Sequence, residues 1–589
     1  MIPEPIIQRR PVRPDLEQTC LAHGLTPLQA RIASARLQPD DPLEAILFPK
    51  LRQLQPLSQL HHADCAGRLI ADACQNQAHI AVATDYDADG VTAAWVIREA
   101  LLRHFGHPPE CLSVFLNRRA NGYGLNDTLV DEILARHRQT PIALVITADQ
   151  GGCDEPRIAR LKAAGITVVV TDHHQLDQAG PPPSADCVVN PQKSACHYDP
   201  AIAGCMVAFL VMNQVRRELI NRGWLPADAP SLKDLLPKVA LGTIADSVSL
   251  KSPNNRAVVR AGLQAINRLQ HPVWQAVQRF SRTRSWMDAE FIAFEVATRI
   301  NAASRVNDVN LALSFLSAQT VDDALIHLKA LDKDNQYRKQ QQQDLLRQAH
   351  KQAKAQVKAA RHTLCVVLQG TPGIQGIIAQ RIGEHYGRPT VAFTDLQDGT
   401  LAGSGRGIVP QLDLNEAFRA MQAAAPQLFL SLGGHAGAAG CMIPKDQVTQ
   451  FHSLLEEAVR QQLGDTPAQP MLLTDGTLLP GQLHPGLIEE INALSPYGQG
   501  WPAPLFDNHF EVISAKTVGA EQSHLSLVLR LPNHGRPFPA IYFNGQSPGE
   551  PLRFAPGQTL RAVYRPTLST FAGRQQFQLR IQWAKATES

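Results

Sequence analysis

The sequence predicts an α/β protein with a parallel-sheet domain, a long connecting helix, a second α/β domain and a small C-terminal β-barrel. Three observations predict this arrangement. Short apolar runs alternate with helical stretches from about residue 78, a long polar segment near residue 340 has helical periodicity, and residues 505–589 form short alternating strands broken by Pro, Gly and Asn. A chain of 589 residues is also long enough for several domains.

The composition is that of a folded protein with a sizeable core. Hydrophobic residues make up 44% and charged residues 19%, which excludes a mostly disordered, collagen-like or coiled-coil chain. The net charge is only +3, so any nucleic-acid site must come from local clustering of charge. Apolar runs are too short for a membrane span, and the N-terminal segment lacks the apolar core of a secretory signal. Ten cysteines without a CxxC pair favour a reducing cytoplasm over a disulfide framework or a thiolate zinc site.

The pattern of apolar and polar residues changes at five places along the chain, which predicts six segments. The first α/β segment contains four strand-like runs at 80–84, 142–147, 166–171 and 186–190, and parallel sheets of this kind bind ligands at the carboxyl ends of their strands. The predicted segments are an N-terminal helical segment (1–75), the parallel-sheet domain (76–330), the connecting helix (331–362), the second α/β domain (363–465), a linker (466–504) and the barrel (505–589).

Positive charge is concentrated in two of these segments. Five cations in the connecting helix are spaced 4, 3, 4 and 3 residues apart, which predicts one helix face: Arg347, Lys351, Lys354, Lys358 and Arg361. This face is interpreted either as a solvated surface or as a wall that faces phosphates. Residues 509–589 carry nine Lys/Arg against four Glu and no Asp, with interleaved aromatic residues that either stack on bases or fill the barrel core: Phe538, Tyr542, Phe543, Tyr564, Phe571 and Phe577.

An acidic turn provides the strongest chemical signal. Asp85, Asp87 and Asp89 alternate in a turn that follows a strand-like run and precedes a helical one. Three carboxylates this close together repel one another unless a hard divalent cation binds between them, and oxygen ligands suit Mg²⁺ or Mn²⁺. The alternative for this turn alone is a solvated loop or a helix cap.

Further ligand-type residues follow other apolar segments. Asp149 comes directly after the second long run, His173 and His174 follow the third, and Asp246 closes a fourth segment that we take as strand-like, Val239–Asp246. Because the carboxyl ends of parallel strands share one edge of a sheet, these residues predict a two-metal hydrolytic site. A dense negative site of this kind needs cationic side chains to hold a phosphate, and Arg299 and Arg305 are the candidates, with Asn301 as a polar donor between them. Their alternative is a helix cap with surface arginines.

The order of eight motifs along the chain resembles a known family. The motifs are DYDADG, GYGL, TADQGG, TDHH, VALGTIAD, RINAASR, GSGR and GGHAGAAG. In this order they are similar to the DHH phosphoesterase superfamily and, within it, to the bacterial RecJ single-strand DNA exonucleases. The resemblance covers about residue 45 to the C-terminus. It implies a DHH catalytic domain, a connecting helix, a DHH-associated domain and an OB-fold.

The resemblance also implies roles for individual residues. Asp85 and Asp87 would hold one metal, Asp89, His173 and Asp246 the other, and Asp149 would bridge both. His174 would contact the scissile phosphate with help from Arg305 and Asn301. The DHH-associated domain would bind the DNA backbone through five residues: Ser404, Arg406, Gly433, Gly434 and His435.

Some positions depart from the family pattern. Thr84 stands where glycine is common, and Gln150 and Gly151 follow Asp149 where the family often has Asn-Gly or Cys-Gly. Thr371 stands where a histidine of a His-x-Gly-Val-x-Gly turn is usual, which removes one expected substrate contact. All six predicted metal ligands remain.

The predicted function is an exonuclease that uses two divalent cations, Mn²⁺ or Mg²⁺, to degrade single-stranded DNA. The resemblance implies that it works in the 5′→3′ direction, releases 5′-mononucleotides and acts in DNA repair and recombination. One alternative is a phosphodiesterase acting on nano-RNA or cyclic dinucleotides, although such family members lack the barrel. A second is a single-strand-binding paralogue that has lost its chemistry, and a third is a zinc hydrolase, which the Asp-rich ligands disfavour. We expect a cytoplasmic monomer that acts on single-stranded DNA without a membrane, and the resemblance suggests a single-strand-binding protein as partner.

Overall fold

The fold is described from a computed structural model at residues 4–177, 179–282, 286–306, 308–370, 373–409, 411–519, 521–532, 534–547, 549–571 and 574–587. These residues form two compact units, which are described separately. The larger unit comprises Arg9–Ser304, Asp308–Leu331 and Thr474–Ser589, and the smaller comprises Met1–Gln8, Arg305–Asn307 and Asp332–Leu473.

The N-terminal segment is largely helical, as predicted, but begins with a strand. Thr26 caps its second helix in a capping box with Gln29, which explains why that helix begins where it does. The elements are β1 (Ile6–Arg9), α1 (Pro14–Ala22), α2 (Pro27–Ser34), α3 (Leu43–Leu47) and α4 (Ala63–Gln75).

A five-stranded parallel sheet forms the centre of the larger unit, in the order β3-β2-β4-β5-β6. Its strands and helices are β2 (Ile80–Thr84), α5 (Ala88–Glu99), β3 (Leu112–Leu116), α6 (Asp127–Gln139), β4 (Leu144–Ala148), α7 (Glu155–Ala163), β5 (Thr167–Thr171) and β6 (Cys187–Val189). Strands β2 and β4 are buried throughout, as expected for a sheet covered on both faces. The sequence did not predict β3, an edge strand that is mostly half-buried and so lacks a fully apolar run.

Helices follow the sheet in the larger unit. They are α8 (Gly204–Asn221), α9 (Leu236–Ala245), α10 (Pro253–Asn267), α11 (Pro272–Ser281), α12 (Ala289–Phe291), α13 (Thr298–Val306) and α14 (Asn310–Ser317). The segment that ends at Asp246 is therefore a helix, and the prediction of a strand there was wrong. Val239–Ala245 is apolar on every side because α9 is buried on all sides, and a short buried helix has the same pattern as a buried strand.

Lys238 is buried inside α9 and should make stability depend on pH. Its Nζ lies 4.5 Å from the ring centroid of Trp95 and 5.8 Å from that of Trp274. Burial lowers the pKa of this amine to about 7. The unfolded chain therefore binds more protons than the folded one between pH 7 and pH 10, so the free energy of unfolding rises with pH across this window.

We expect Lys238→Met to shift the urea midpoint upward at pH 7 and to shift it less at pH 9.5. The upper bound is about 1.4 kcal/mol for each unit of pKa depression, less the attraction between the charged amine and the indoles. The matched control is Lys233→Met, since Lys233 is exposed just before α9. Equal shifts in the two variants at both pH values would contradict the assignment.

A mixed sheet forms the core of the smaller unit, in the order β10-β11-β9-β8-β7 with only β7 and β8 parallel. Its elements are α15 (Val321–Lys358, continuous from the larger unit), β7 (Leu364–Leu368), α16 (Gln375–Tyr386), β8 (Thr390–Asp395), β9 (Thr400–Arg406), α17 (Leu414–Ala424), β10 (Ser431–His435), β11 (Ala438–Pro444), α18 (Val448–Leu463) and β12 (Met471–Thr474). Strand β12 pairs with β1.

The long helix α15 has one apolar and one basic face. Leu345, Ala349 and Ala353 are buried in a cluster with β7 and α16. The five predicted cations, Arg347 to Arg361, are all exposed. The helix begins at Val321 and ends at Lys358, whereas the sequence predicted 331–362.

The C-terminal strands form a closed barrel in the larger unit, in the order β13-β14-β15-β17-β16, which confirms the predicted fold class. The elements are α19 (Gly486–Asn492), β13 (Phe506–Val518), β14 (His524–Arg530), β15 (Pro537–Tyr542), β16 (Thr559–Phe571) and β17 (Arg574–Ala586). Most of the aromatic residues considered for base stacking are buried instead: Phe538, Tyr542, Tyr564 and Phe577. Phe543 is 48% exposed, and the side chain of Phe571 lies outside the described residues. Among the described residues, the helices are too short or too polar to cross a bilayer.

Candidate metal centre

Six predicted ligands converge at the carboxyl edge of the parallel sheet. Their ligand atoms form overlapping groups in which every atom lies within 4.8 Å of the others: Asp85, Asp87 and Asp149 in one group, Asp89, His173 and Asp246 in a second, and Asp149, His173 and His174 in a third. The central imidazole, that of His173, has its Nε2 3.2 Å from Asp149 Oδ1 and 3.6 Å from Asp246 Oδ2. The structure thus brings together residues that are far apart in the chain.

The acidic turn has a double role. Asp87 is the N-cap of α5, and its Oδ1 accepts hydrogen bonds from the amides of Asp89 and Gly90 at 2.8 and 3.1 Å. The helix-cap interpretation of this residue is therefore correct, and it is compatible with metal binding because a carboxylate has two oxygens. A Cβ at Gly90 would clash with the backbone carbonyl of Asp85, so only glycine lets the turn fold this tightly.

Helix α8 contributes backbone hydrogen bonds to the second group of ligand-type residues. The amides of Gly204 and Cys205, at the start of α8, donate to Asp89 at 2.7 and 3.0 Å. A Cβ at Gly204 would lie 2.6 Å from Asp149 Oδ1. The helix N-terminus thus stabilises the negative charge of Asp89 and leaves room for Asp149. Sequence reasoning missed this glycine, which has no motif around it.

Asp149 occupies the centre in a constrained backbone conformation. Its φ is 60°, in the left-handed region that Asp adopts more readily than most residues. Its side chain is buried, and burial together with Asp89 and Asp87 raises its pKa well above the usual value. Burial and Asp87 likewise raise the pKa of Asp85, and burial and Asp89 raise that of Asp246.

The site fits a pair of divalent cations on the observations of this structure. Asp85 Oδ1, Asp149 Oδ1 and His173 Nε2 are buried without a hydrogen bond to any part of the chain that the structure describes. Buried polar atoms of this kind are costly unless something binds them. Oxygen ligands with one imidazole are the donor set of Mn²⁺ or Mg²⁺. Cations there would satisfy these atoms and remove the repulsion between the carboxylates.

His174 is held by groups that the sequence analysis did not assign. Asp172 Oδ1 lies 2.8 Å from His174 Nδ1, and the hydroxyl of Tyr123 contacts His174 Nε2. Burial alone would lower the pKa of His174, but the hydrogen bond and charge of Asp172 outweigh it and raise the pKa to about 9. Burial alone would raise the pKa of Asp172, but His174 lowers it to about 2. Asp172 could have been noticed as the residue directly before the two histidines, and Tyr123 lies in the GYGL motif.

The predicted phosphate-binding residues of α13 have different surroundings. Asn301 Oδ1 accepts a hydrogen bond from the amide of Ala88 at 2.8 Å, which places it on the acidic turn. Arg299 is largely buried and donates to Glu295 Oε2 at 2.9 Å. Arg305, which falls in the smaller unit, donates to the carbonyl of Gly373.

The predicted DNA-binding residues of the smaller unit lie beside helix α16. Arg406 Nη1 is 3.0 Å from Ser404 Oγ, and a Cβ at Gly376 would lie 2.5 Å from Arg406 Nη2. Both side chains therefore lie against the first turn of α16, where free backbone amides favour anions. Gly433 has open space where a Cβ would stand, whereas Gly434 has a φ of 141° and a Cβ there would lie 2.5 Å from the carbonyl oxygen of Ala438. The side chain of His435 and the whole of Thr371 lie outside the described residues.

Three family models match the chain in the order of its domains. The model of the N-terminal domain of the DHH family matches residues 79–243, the DHHA1 domain matches 362–461, and the RecJ OB domain matches 474–583. The first of these ranges contains every candidate metal ligand except Asp246, which follows it by three residues.

Relatives with the same printed name match over most of the chain. The single-stranded-DNA-specific exonuclease RecJ of Haemophilus influenzae is 30% identical over 90% of this chain and 92% of its own length. That of Escherichia coli K12 is 29% identical over 97% of this chain and 98% of its own length. The crystal structure of RecJ with Mn²⁺ from Thermus thermophilus superposes with a TM-score of 0.76 at 25% identity, covering 99% of this chain and 80% of that one.

Proposed function

The chain belongs to the RecJ family of single-stranded-DNA-specific exonucleases, and we propose on this premise that it removes nucleotides from the 5′ end of single-stranded DNA. It is a metal-dependent nuclease, in line with the Mn²⁺ and Mg²⁺ complexes of its structural relatives. The single observation that carries the proposal is the convergence of six ligand-type side chains on Asp149 at the edge of the sheet.

We assign the six ligands to two cation positions. Asp85 and Asp87 would hold one, and Asp89, His173 and Asp246 would hold the other. Asp149 would belong to both, because one group joins it to Asp85 and Asp87 and another joins it to His173. The bound cations supply an activated water and neutralise charge on the phosphate.

The protein's own groups orient the substrate. Asp172 holds the ring of His174 by its Nδ1, and the protonated imidazole would donate from Nε2 to an oxygen of the scissile phosphate once that oxygen replaces the Tyr123 hydroxyl, which contacts Nε2 in this structure. Asn301 fixes the acidic turn through the amide of Ala88. Arg305 and Asn301 assist His174 at the scissile phosphate. Arg299 is a further substrate-binding residue, and the DNA backbone is bound by Ser404, Arg406, His435 and the glycines at 433 and 434.

The compartment, the pathway and the partner of the enzyme are proposed from its substrate. We place the enzyme in the cytoplasm, in DNA repair and recombination, as a monomer that a single-strand-binding protein recruits. Copurification with such a protein, and the molar mass in solution, test the last two statements.

The proposal is tested with one oligonucleotide labelled in turn at each end. With Mn²⁺ or Mg²⁺, a strand of about 40 nucleotides labelled at its 5′ end should release labelled mononucleotide as the first product, whereas the 3′-labelled strand should shorten progressively. A chelator should stop both reactions. If the 3′-labelled strand released labelled mononucleotide first, the enzyme would work in the 3′→5′ direction. Faster cleavage of dinucleotides or cyclic dinucleotides than of the long strand would favour the small-molecule phosphodiesterase.

A further inference from the structure

Two large aromatic side chains of the larger unit are exposed. Trp286 is 58% exposed and Phe294 is 65% exposed. Both line a cavity of about 340 Å³, here called the aromatic cavity, whose wall also includes Ile244 and Ser247. Ile244 and Ser247 lie two residues before and one residue after the candidate ligand Asp246, so the wall of the aromatic cavity includes its close sequence neighbours.

The aromatic cavity has apolar walls with polar groups among them. Val248, Ala289 and Ala293 contribute apolar surface, while Asn492 and Gln499 contribute amides. A second cavity of about 280 Å³ is also lined by Trp286, which is therefore part of both cavity walls. Exposed aromatic surface is costly in water, and contiguous patches of it mark binding sites more often than isolated rings do.

The charges of the aromatic cavity disfavour a phosphate inside it. Asp288, Glu290 and Arg565 belong to its wall, and because Arg565 is paired with Glu290 the wall keeps a net negative charge that repels a phosphate. Glu290 is also an anchor for the barrel, because Arg565 contacts its Oε2 and Arg580 Nη1 lies 3.2 Å from its Oε1. The cavity therefore suits a flat, uncharged group that is attached to an anionic backbone outside.

A third exposed ring continues the same surface on the barrel. The guanidinium carbon of Arg580 lies 5.6 Å from the ring centroid of Phe543, and His524 contacts that ring edge-on at 5.3 Å. The contacts thus run without interruption from the aromatic cavity through Glu290 and Arg580 to Phe543. Guanidinium groups between aromatic faces are the usual arrangement for holding a single strand.

We propose that the aromatic cavity binds nucleobases of the substrate strand, which stack on Trp286 and Phe294 before the strand reaches Phe543 on the barrel. The inference rests on the proposed function, since it names the part of single-stranded DNA that this surface takes. Stacking on rings is tolerant of sequence because every base has a π-face, as an exonuclease without sequence preference requires.

The test is abasic scanning of binding in a chelator, so that no cleavage occurs. A 3′-fluorescein thymidine strand of about 15 nucleotides carries one abasic position, which is moved stepwise from the 5′ end. For the wild type we expect affinity to fall about tenfold at one or two adjacent positions, the loss of one stacked base. The double variant Trp286→Ala, Phe294→Ala should bind the intact strand about tenfold or more weakly. An abasic position at those sites should then cause no further fall in affinity, so the affinity minimum of the wild type should be absent.

Two further variants separate stacking from folding. Trp286→Phe keeps an aromatic face and should retain the affinity minimum at those abasic positions. Trp224→Ala removes another exposed indole outside the cavity and should leave the dependence of affinity on abasic position unchanged. A minimum that persists in the double variant, or a flat profile in the wild type, would overturn the inference. Binding in chelator does not depend on hydrolysis, so a wild type that shows the minimum but never cleaves would refute the proposed function and leave this inference standing.

Discussion

Replacing Asp149 by asparagine should reduce cleavage of single-stranded DNA by at least roughly a thousandfold, with little change in the fold. Asparagine keeps the shape of the side chain but removes the negative charge that both candidate cation positions share. The initial rate of mononucleotide release with saturating Mn²⁺ measures the effect. Asp127→Asn is the matched control, because Asp127 is an exposed carboxylate on α6 that pairs with Arg157 and Arg160.

The same variant should be more stable than the wild type when metal is chelated. Burial and neighbouring carboxylates raise the pKa of Asp149, so the folded state binds more protons than the unfolded state above the usual carboxyl pKa. The ionised carboxylate therefore destabilises the metal-free fold at pH 7, and asparagine removes this penalty. Adding Mn²⁺ should raise the melting temperature of the wild type more than that of the variant. Full activity in Asp149→Asn, or equal stabilisation by Mn²⁺, would refute the assignment of Asp149.

Replacing Arg256 by leucine should cost about 3–5 kcal/mol in the free energy of unfolding of the larger unit. The guanidinium is fully buried in α10 and donates to four backbone carbonyls, those of Ile46, Leu250, Leu494 and Pro496. Its carbon also lies 4.7 Å from the ring centroid of Trp501. Leucine fills part of the volume but removes the guanidinium donors from the carbonyls of Ile46, Leu250 and Pro496, whereas the carbonyl of Leu494 keeps the indole of Trp501 as a donor.

The loss of stability should be greatest in the segment before the barrel. Leu494 and Pro496 belong to the segment before the barrel, so limited proteolysis should cut the variant there first. Urea unfolding and proteolysis of Arg260→Leu give the comparison, since Arg260 lies one turn further along α10 and is only half-buried. If Arg256→Leu were as stable as Arg260→Leu, the buried guanidinium would not hold the segment before the barrel.

The parts of the fold that could be predicted are those with a local pattern. Strands β2 and β5 are short runs of Ala, Val, Ile and Thr between helical stretches, and such runs are typical of buried parallel strands. The edge strand β3 and the helix that ends before Asp246 could not be assigned correctly. Burial of a segment depends on its neighbours in space, and a short apolar run does not distinguish a strand from a buried helix.

The candidate site divides in the same way. The chemistry of Asp85, Asp87, Asp89, Asp149 and the two histidines follows from residue type and from their positions after apolar segments. The amides of Gly204 and Cys205 on Asp89 and the contact of Tyr123 with the ring of His174 depend on elements that meet only after folding. No spacing in the chain indicates these contacts.

By itself the sequence determined the kinds of domain, their order and the residues able to bind divalent cations, because these depend on side-chain chemistry and on periodicities of a few residues. Tertiary structure alone decided that the start of α8 donates to Asp89, how closely Asp149 approaches Asp85, Asp87 and His173, and that Trp286 and Phe294 border one cavity. These features depend on distances between segments up to hundreds of residues apart, and only the packing of the whole unit sets such distances.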